Sequence, residues 1–443
     1  MTQIGSAYIE RYPEWQNGLP GRNLAWLSEL RADAFARFAE RGFPTRKTEA
    51  WKYTNLAPLA KDVFAPQTAA SGKMPATVPA HIPDLGTAHR IVFVNGRAES
   101  DGSTHNALPK GVRLMTLGEA LKEAPDLIAD HLATDNKPEE PAFLDMNTAL
   151  MTEGAVLTIE PGVELEAPVH LFFLTTDAAA RSAMHLRNLI MAGKGSAATV
   201  FESYLGTGKA EYWTNVVTEI RVEEKARLHH HKLQSEGEAA YHIAMTLTKI
   251  EDHATYDSFA MSLGGSLARN EIRALLDGSG IDCRLNGINL ARQRPHLDTT
   301  TTIDHAKPGS TCNETYKSVV GDHAETVFQG KIIVRPDAQK TAAHQLNRNL
   351  LLSDEAQANT KPELRIHADD VQCSHGATVS ELDEQALFYL RSRGLSENAA
   401  RSLLTEAFVT EMLDDIENIS IREALRHAMA DWLAGLSGTG GQA

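Results

Sequence analysis

The sequence predicts a mainly β protein with a parallel β-helix at its centre and helices on either side. Three observations carry this. Helical periodicity is confined to the two ends of the chain. Short β-branched runs fill the middle. Turn-like segments within that middle recur at nearly constant steps.

The N-terminal part, 1–150, reads as mainly helical, with a linker and a short strand. Leu24, Leu27, Leu30, Ala34, Phe35 and Phe38 fall at three- and four-residue spacing and form one apolar stripe. Gly42 ends that run and Pro44 keeps it closed. Residues 61–88 are rich in Ala, Pro, Thr and Ser and read as a linker. A strand over Arg90–Val94 ends in the turn Asn95-Gly96, and a helix follows near Leu117–Ala124. The segment ATDNKPEEP (133–141) reads as a loop.

The middle part, 151–378, has the strand-like runs Ala155–Ile159, His170–Leu174, Asn188–Met191, Thr199–Tyr204, Asn215–Val222, Ile243–Thr248 and Ile332–Val334. Between them, EPGVELEAPVHL at 160, GKGSAATVFES at 193, EEKARLHHHKL at 223, EDHATYDSFAM at 251, GSGIDCRLNGI at 278 and KPGSTCNETYK at 307 start some 27 to 33 residues apart. GDHAETVFQGK at 321 and RPDAQKTAAHQ at 335 are separated by half that step. This is a degenerate repeat with two strand layers per coil, and each coil must stack on its neighbours to bury its inner face. A large β-sandwich with irregular loops is the competing arrangement.

The C-terminal part, 379–443, returns to helix. Ser380 with Asp383 reads as a capping box for a helix that stops at Gly394. Ser396 starts a second helix with Ala400, Leu403, Leu404, Ala407, Phe408 and Met412 on one side. A third runs from about Ile421 to Leu433, and the tail SGTGGQA reads as flexible. The helices are expected to cap the solenoid.

Composition narrows the function. Apolar residues are 42% and charged residues 23%, an ordinary globular balance. The chain has 43 basic and 58 acidic residues, a net charge of −15. Nucleic-acid and anionic-membrane binding need clustered Lys and Arg, so neither partner is expected. No run of 18 apolar residues is present, and the first residues show no signal-peptide pattern. Three cysteines, Cys283, Cys312 and Cys373, do not make a secreted disulfide framework. A cytoplasmic location is therefore expected. None of the cysteines is in C-x-x-C spacing, so no self-contained zinc or cluster site is expected.

Several motifs fail on inspection. GTGK (206–209) lacks the first glycine and the hydroxyl of a phosphate loop. GKGSAA (193–198) is followed by strand rather than helix. His229, His230 and His231 sit on a strand, so only His229 and His231 share a face, with His253 as a third ligand from another coil; a polar solenoid face is the simpler reading. Cys283 and Cys312 read as small buried hydrophobes. Glu314, Asp322 and His323 offer an acid–base pairing, but 58 acids make such pairings common.

The most informative segment is ADDVQCSHGAT (368–378), which gathers a thiol, an imidazole and two carboxylates. Cys373 and His375 are two apart and point the same way on a strand. Thiolate and imidazole suit iron or zinc. Two ligands do not hold a cluster, so the rest must come from a partner; otherwise the segment is a buried turn.

That segment, extended through ADDVQCSHGATVSELDEQALFYLRSRGLSENAARSLLTEAF (368–408), resembles the C-terminal signature of the SufB/SufD family of iron–sulfur cluster assembly proteins. FPTRKTEAWKYTNL (43–56) resembles the family's other recurring motif, for which no chemistry is assigned; Trp51 and Tyr53 are expected to pack the N-terminal helices. The resemblance implies a right-handed parallel β-helix core flanked by N-terminal and C-terminal helical domains. It covers most of the chain. SufB typically has Cys-Glu-His-Glu where this chain has Ser374 and Gly376 at the acid positions, and SufB tends to carry an N-terminal cysteine cluster absent here. Both departures place the chain on the SufD side of the family.

The resemblance implies a non-catalytic scaffold of the SufBCD complex. It would pair with a SufB-like sister through the β-helices and dock a SufC-like ABC ATPase on the C-terminal helices, for which Leu403, Leu404 and Phe408 are the candidate contacts. His375, and more weakly Cys373, would face the sister at the site where a transient iron–sulfur cluster is built. The chain alone would hold no cofactor. A reduced flavin in the complex and a homodimer of the chain alone are both compatible with the family. The alternatives are a β-helix carbohydrate lyase or hydrolase and a purely structural solenoid. The missing signal peptide, the missing Asp cluster outside Asp369 and Asp370, and only 6% aromatic residues count against the enzyme.

Overall fold

In a computed structural model the chain is described over residues 5–67, 85–86, 88–104, 108–132 and 141–438. Most of the expected linker, nearly all of the 133–141 loop and the end of the tail lie outside these residues.

Strands alternate between two sheets. One sheet contains β1 (Ala65–Pro66), β4 (Val112–Thr116), β5 (Ala155–Ile159), β7 (Ser182–Ala192), β9 (Trp213–Val222), β11 (Tyr241–Ile250), β13 (Leu267–Leu276), β15 (His296–His305), β17 (Glu325–Val334) and β19 (Gln357–Ile366). The other contains β2 (His89–Val94), β3 (Arg97–Thr104), β6 (Val169–Thr176), β8 (Ala197–Thr207), β10 (Arg227–Ser235), β12 (Thr255–Ser262), β14 (Asp282–Ala291), β16 (Thr311–Val320), β18 (Ala342–Leu351) and β20 (Gln372–Glu381). Every pairing from β5 and β6 onward is parallel, which makes a β-solenoid of about eight turns rather than a sandwich. Antiparallel pairing is confined to the start, where β3 folds back on β2 and β4 meets β5. Asn95 and Gly96 make the first hairpin with φ of 50° and 75°, the left-handed pair such a two-residue turn requires. The strands of the first 150 residues thus belong to the solenoid's own sheets.

The repeat in the sequence is one corner of the coil. Gly162, Gly195, Lys225, His253, Gly280, Gly309 and Lys340 all have positive φ and follow the recurring segments at their own steps. Each corner bonds to the next: Gly195 N–H to Glu224 O at 2.8 Å, Lys225 N–H to Asp252 O at 2.9 Å, Lys340 N–H to Asp370 O at 2.6 Å. Residues 321 and 322 belong to the opposite corner, where the Gln293 N–H donates to Asp322 Oδ2 at 2.8 Å. That explains the half step.

Three layers of packing follow. Inward residues such as Val200, Leu228, Tyr256, Cys283 and Cys312 fill the solenoid. The outer face of the odd-numbered sheet lies under the N-terminal region, formed by α1 (Ser6–Trp15), α2 (Ala25–Arg41), α3 (Ala57–Lys61), α4 (Leu117–Glu123), α5 (Pro125–Ala129) and α6 (Ala142–Leu150). There Trp213, Tyr241 and Leu267 meet Phe38, Phe43, Trp51 and Phe143. Gly42 closes α2 with φ of 67° and its N–H on Phe38 O at 2.7 Å. Thr116 and Glu119 close a capping box at the start of α4.

The outer face of the even-numbered sheet lies under the C-terminal helices α7 (Glu384–Ser392), α8 (Glu397–Asp414) and α9 (Ile419–Gly438). Val409, Met412, Leu413, Leu425, Met429 and Trp432 pack on Phe172, Phe201, Leu233, Phe259, Ile288 and Val319. These helices do not cap the solenoid; they run back along its side, because that sheet's outer face is apolar and long enough to take them. Ser380 is no helix cap either. It lies in β20, where its Oγ donates to Asn349 O at 3.4 Å, and Asp383 alone caps α7 through the N–H groups of Gln385 and Ala386. The last coil, β19 and β20, is consequently left mostly uncovered.

Candidate functional site

The segment ADDVQCSHGAT spans the final corner and the first half of β20. Asp369 and Asp370 form the corner, and the Asp370 N–H is held by Gln339 Oε1 at 2.9 Å. His375 lies five strand residues further on, roughly 17 Å at strand rise, so the carboxylates do not join it.

Register places the rest. Cys373 pairs with Ala343, itself opposite Cys312 and then Cys283, so the thiol lies on the inner column. It packs half-buried on the solenoid core, and burial pushes its pKa up, which keeps it a thiol rather than the thiolate a metal takes. His375 is on the same inner face, opposite Gln345. No strand covers it, so the imidazole is exposed, and it makes no hydrogen bond among the described residues. Ser374 faces outward and pairs with His344 Nδ1 at 2.8 Å. His344 is exposed one coil back, a second histidine at the open end that the motif alone does not reveal.

The histidine run separates as alternation requires. His229 and His231 share the outer face with ring centroids 6.3 Å apart. His230 points inward, 3.0 Å from both Glu202 Oε1 and Tyr256 Oη. His231 is buried and its pKa is pushed down to about 3 by desolvation. His253 stands at a corner with φ of 56°. Among the described residues no group of three or more His, Cys, Asp or Glu is arranged to hold a metal ion. Glu314 is buried inside the coil, while Asp322 and His323 are exposed at a corner, so that acid–base set does not assemble. Cys283 and Cys312 are buried neighbours, as small hydrophobes would be. At GTGK, Asp177 Oδ1 accepts from the N–H groups of Lys209 and Ala210, a carboxylate where a phosphate would have to sit.

On α8, Leu403 is exposed while Leu404 and Phe408 are half-buried. Phe408 is partly engaged at home: Lys317 Nζ donates to its carbonyl at 2.6 Å, and Lys317 and Arg348 lie 5.0 and 5.5 Å from its ring centroid. The most exposed aromatic residues are Phe388 and Tyr389 on α7. Phe388 is exposed beside half-buried Leu387 and Leu390.

The motif FPTRKTEAWKYTNL docks on the outer face of β13–β17. Trp51 is buried between Phe143, 5.0 Å away centroid to centroid, and the Arg269 guanidinium 4.0 Å over its ring. Arg269 pairs with Asp298 at 2.5 Å, and Thr54 Oγ1 donates to the same carboxylate. Trp51 therefore packs the solenoid as much as the N-terminal helices, and Tyr53 is half-buried at the edge.

Fold and site together define a long parallel solenoid that ends on a bare coil carrying an exposed imidazole and a half-buried thiol. Comparison with known proteins gives the family. Residues 173–408 match "SUF system FeS cluster assembly, SufBD core domain" and residues 2–171 match "SufBD protein N-terminal region". The chain is 34% identical over 399 residues to an iron–sulfur cluster assembly SufBD family protein of Synechocystis, covering 87% of each chain. It is 30% identical to the iron–sulfur cluster assembly protein SufD of Escherichia coli, covering 89% of this chain and 90% of that one. It is 27% identical to the chloroplastic protein ABCI7 of Arabidopsis thaliana, over 90% and 85%. The chain belongs to the SufBD family of iron–sulfur cluster assembly proteins. Among the described residues no helix is long and apolar enough to cross a membrane.

Proposed function

We propose that this chain is a SufD-type scaffold subunit without turnover of its own, which joins a SufB-like sister through its uncovered final coil. The observation that carries this is the bare inner column at β20. His375 stands there exposed and unpartnered, with Cys373 two residues away, and the described residues offer no third or fourth ligand. A half-site of this kind becomes a cluster site only when another chain completes it.

In this reading the nascent cluster is cargo held at the interface, and neither it nor a reduced flavin is held by this chain alone. His375 supplies a neutral imidazole ligand or handles a proton. The exposed Phe388, Tyr389 and Leu403 on α7 and α8 offer the apolar surface for a SufC-like ATPase. The lateral position of α8, anchored to β16 through Lys317, would transmit ATPase movement to the solenoid. The test is iron and sulfide per complex after anaerobic reconstitution with both partners, comparing the wild type with His375→Ala. Loss of both with an intact complex supports the reading. Unchanged iron and sulfide would make the imidazole structural.

A further inference from the structure

The inner column behind His375 does not end at Gln345. One coil deeper it reaches Glu314, so that Glu314, Gln345 and His375 lie in register on β16, β18 and β20. Glu314 is 1% exposed. Gln345 Nε2 donates to Glu314 Oε2 at 2.6 Å, the Thr301 hydroxyl also faces the Glu314 carboxyl, and Gln345 Oε1 has no partner. Tyr316 Oη and Thr326 Oγ1 on the neighbouring inner faces are likewise unpartnered. The room for this amide is built in: a Cβ at Gly330 would stand 2.2 Å from Gln345 Nε2. Buried polar atoms of this kind are ordinarily satisfied by enclosed water where the site has room for it.

We propose that Glu314 is an internal proton acceptor for the open end of the solenoid, acting through Gln345 and enclosed water on the site at His375. Being two coils away, about 9.6 Å by strand spacing, it is a positioning and proton-holding residue and not one that touches the cluster. Cluster building releases protons that such a group can take up. A hydrosulfide that enters a cluster as bridging sulfide, or a thiol that enters as thiolate, gives up one proton. That proton lands on the Glu314 carboxylate, making the acid, and leaves to solvent through the open end. No electrons move in this step. Burial pushes the Glu314 pKa up to about 7, so both forms are populated near neutrality. The titratable groups facing it are Cys312 and Tyr316 on its own strand, both pushed well upward and neutral, and no cation among the described residues pairs with it.

This inference rests on the reading of the open end as the assembly site, and the test separates the two. Cluster loading is followed in the reconstituted complex from about pH 6 to about pH 8.5 for the wild type, Glu314→Gln, Glu314→Asp and His375→Ala, with size exclusion as the check on assembly. The wild-type rate should rise as Glu314 ionises. Glu314→Gln should flatten that rise and lower the rate at the alkaline end at least tenfold, less than the ~100-fold of a base in direct contact. Glu314→Asp should restore the slope. In the isolated chain, infrared spectroscopy should show a protonated carboxyl band that titrates near neutrality and is missing from Glu314→Gln. An unchanged pH profile in Glu314→Gln beside a dead His375→Ala overturns the proposal and leaves the site intact. Full loading in His375→Ala overturns the reading beneath it. Absence of the titrating band overturns the proposal whatever the variants' folding.

Discussion

The coil at β9 and β10 and the coil at β19 and β20 are built on one plan and finished differently. In β9, WTNVVTEIRV, every residue but Arg221 is buried, because the N-terminal helices cover its outer face and further coils cover both edges. In β19 and β20, QANTKPELRI and QCSHGATVSE, no residue is buried. The outer edge there presents backbone N–H and C=O groups with no following strand, the template for another chain. Its sequence guards against indiscriminate pairing: Pro362 removes a donor, and Lys361, Glu363 and Arg365 place charges along the strand. Under the proposed function, this polar, charged coil is the face that meets a specific partner.

This contrast can be broken from the covered side first. Arg187 is fully buried on β7, paired with Glu219 and donating to Asn147 Oδ1 at 3.0 Å. Arg187→Ala removes the ion-pair partner of the buried Glu219 carboxylate and should lower the unfolding free energy by about 3–5 kcal/mol in urea titrations. Next comes the interior. The raised pKa of Glu314 means the native state keeps a proton that the unfolded chain releases. The cost is absent below the ordinary carboxyl value of 4.5, grows as pH rises, and is complete above about 7. Glu314→Gln should therefore stabilise the protein at alkaline pH, by up to about 3 kcal/mol, and change little at pH 4. A stabilising substitution that slows cluster loading would mark a residue retained for function. The smallest effect belongs to the bare coil. Lys361 pairs with an exposed, solvent-screened Glu49, so Lys361→Ala should leave the midpoint of the same titration essentially unchanged.

The coil was legible in the sequence because turn-like segments recur at nearly constant steps, and each marks a corner with positive φ. His375 was legible because its motif resembles a family signature. Strands such as β16, TCNETYKSVV, were hard to see for a physical reason. Their inner face carries Glu314 and their outer face Thr315 and Lys317, so neither phase of the alternation is apolar. The same interior polarity hid the column behind His375, which only register reveals. Amphipathicity showed that the C-terminal helices need a partner surface, but not that the surface is the side of the even-numbered sheet. The apolar side chosen for α8 also shifted: Ala400, Val409, Met412 and Leu413 are buried, while Leu403 and Ala407 are exposed.

The central claim is that the last coil is the partner face. Hydrogen exchange of this chain alone and after mixing with its SufB-like sister tests it most directly. The account predicts new protection concentrated in residues 357–366 and 372–381, with β9 and β11 equally protected in both states. Unchanged exchange in those two strands, with protection arising elsewhere on the solenoid, would contradict it.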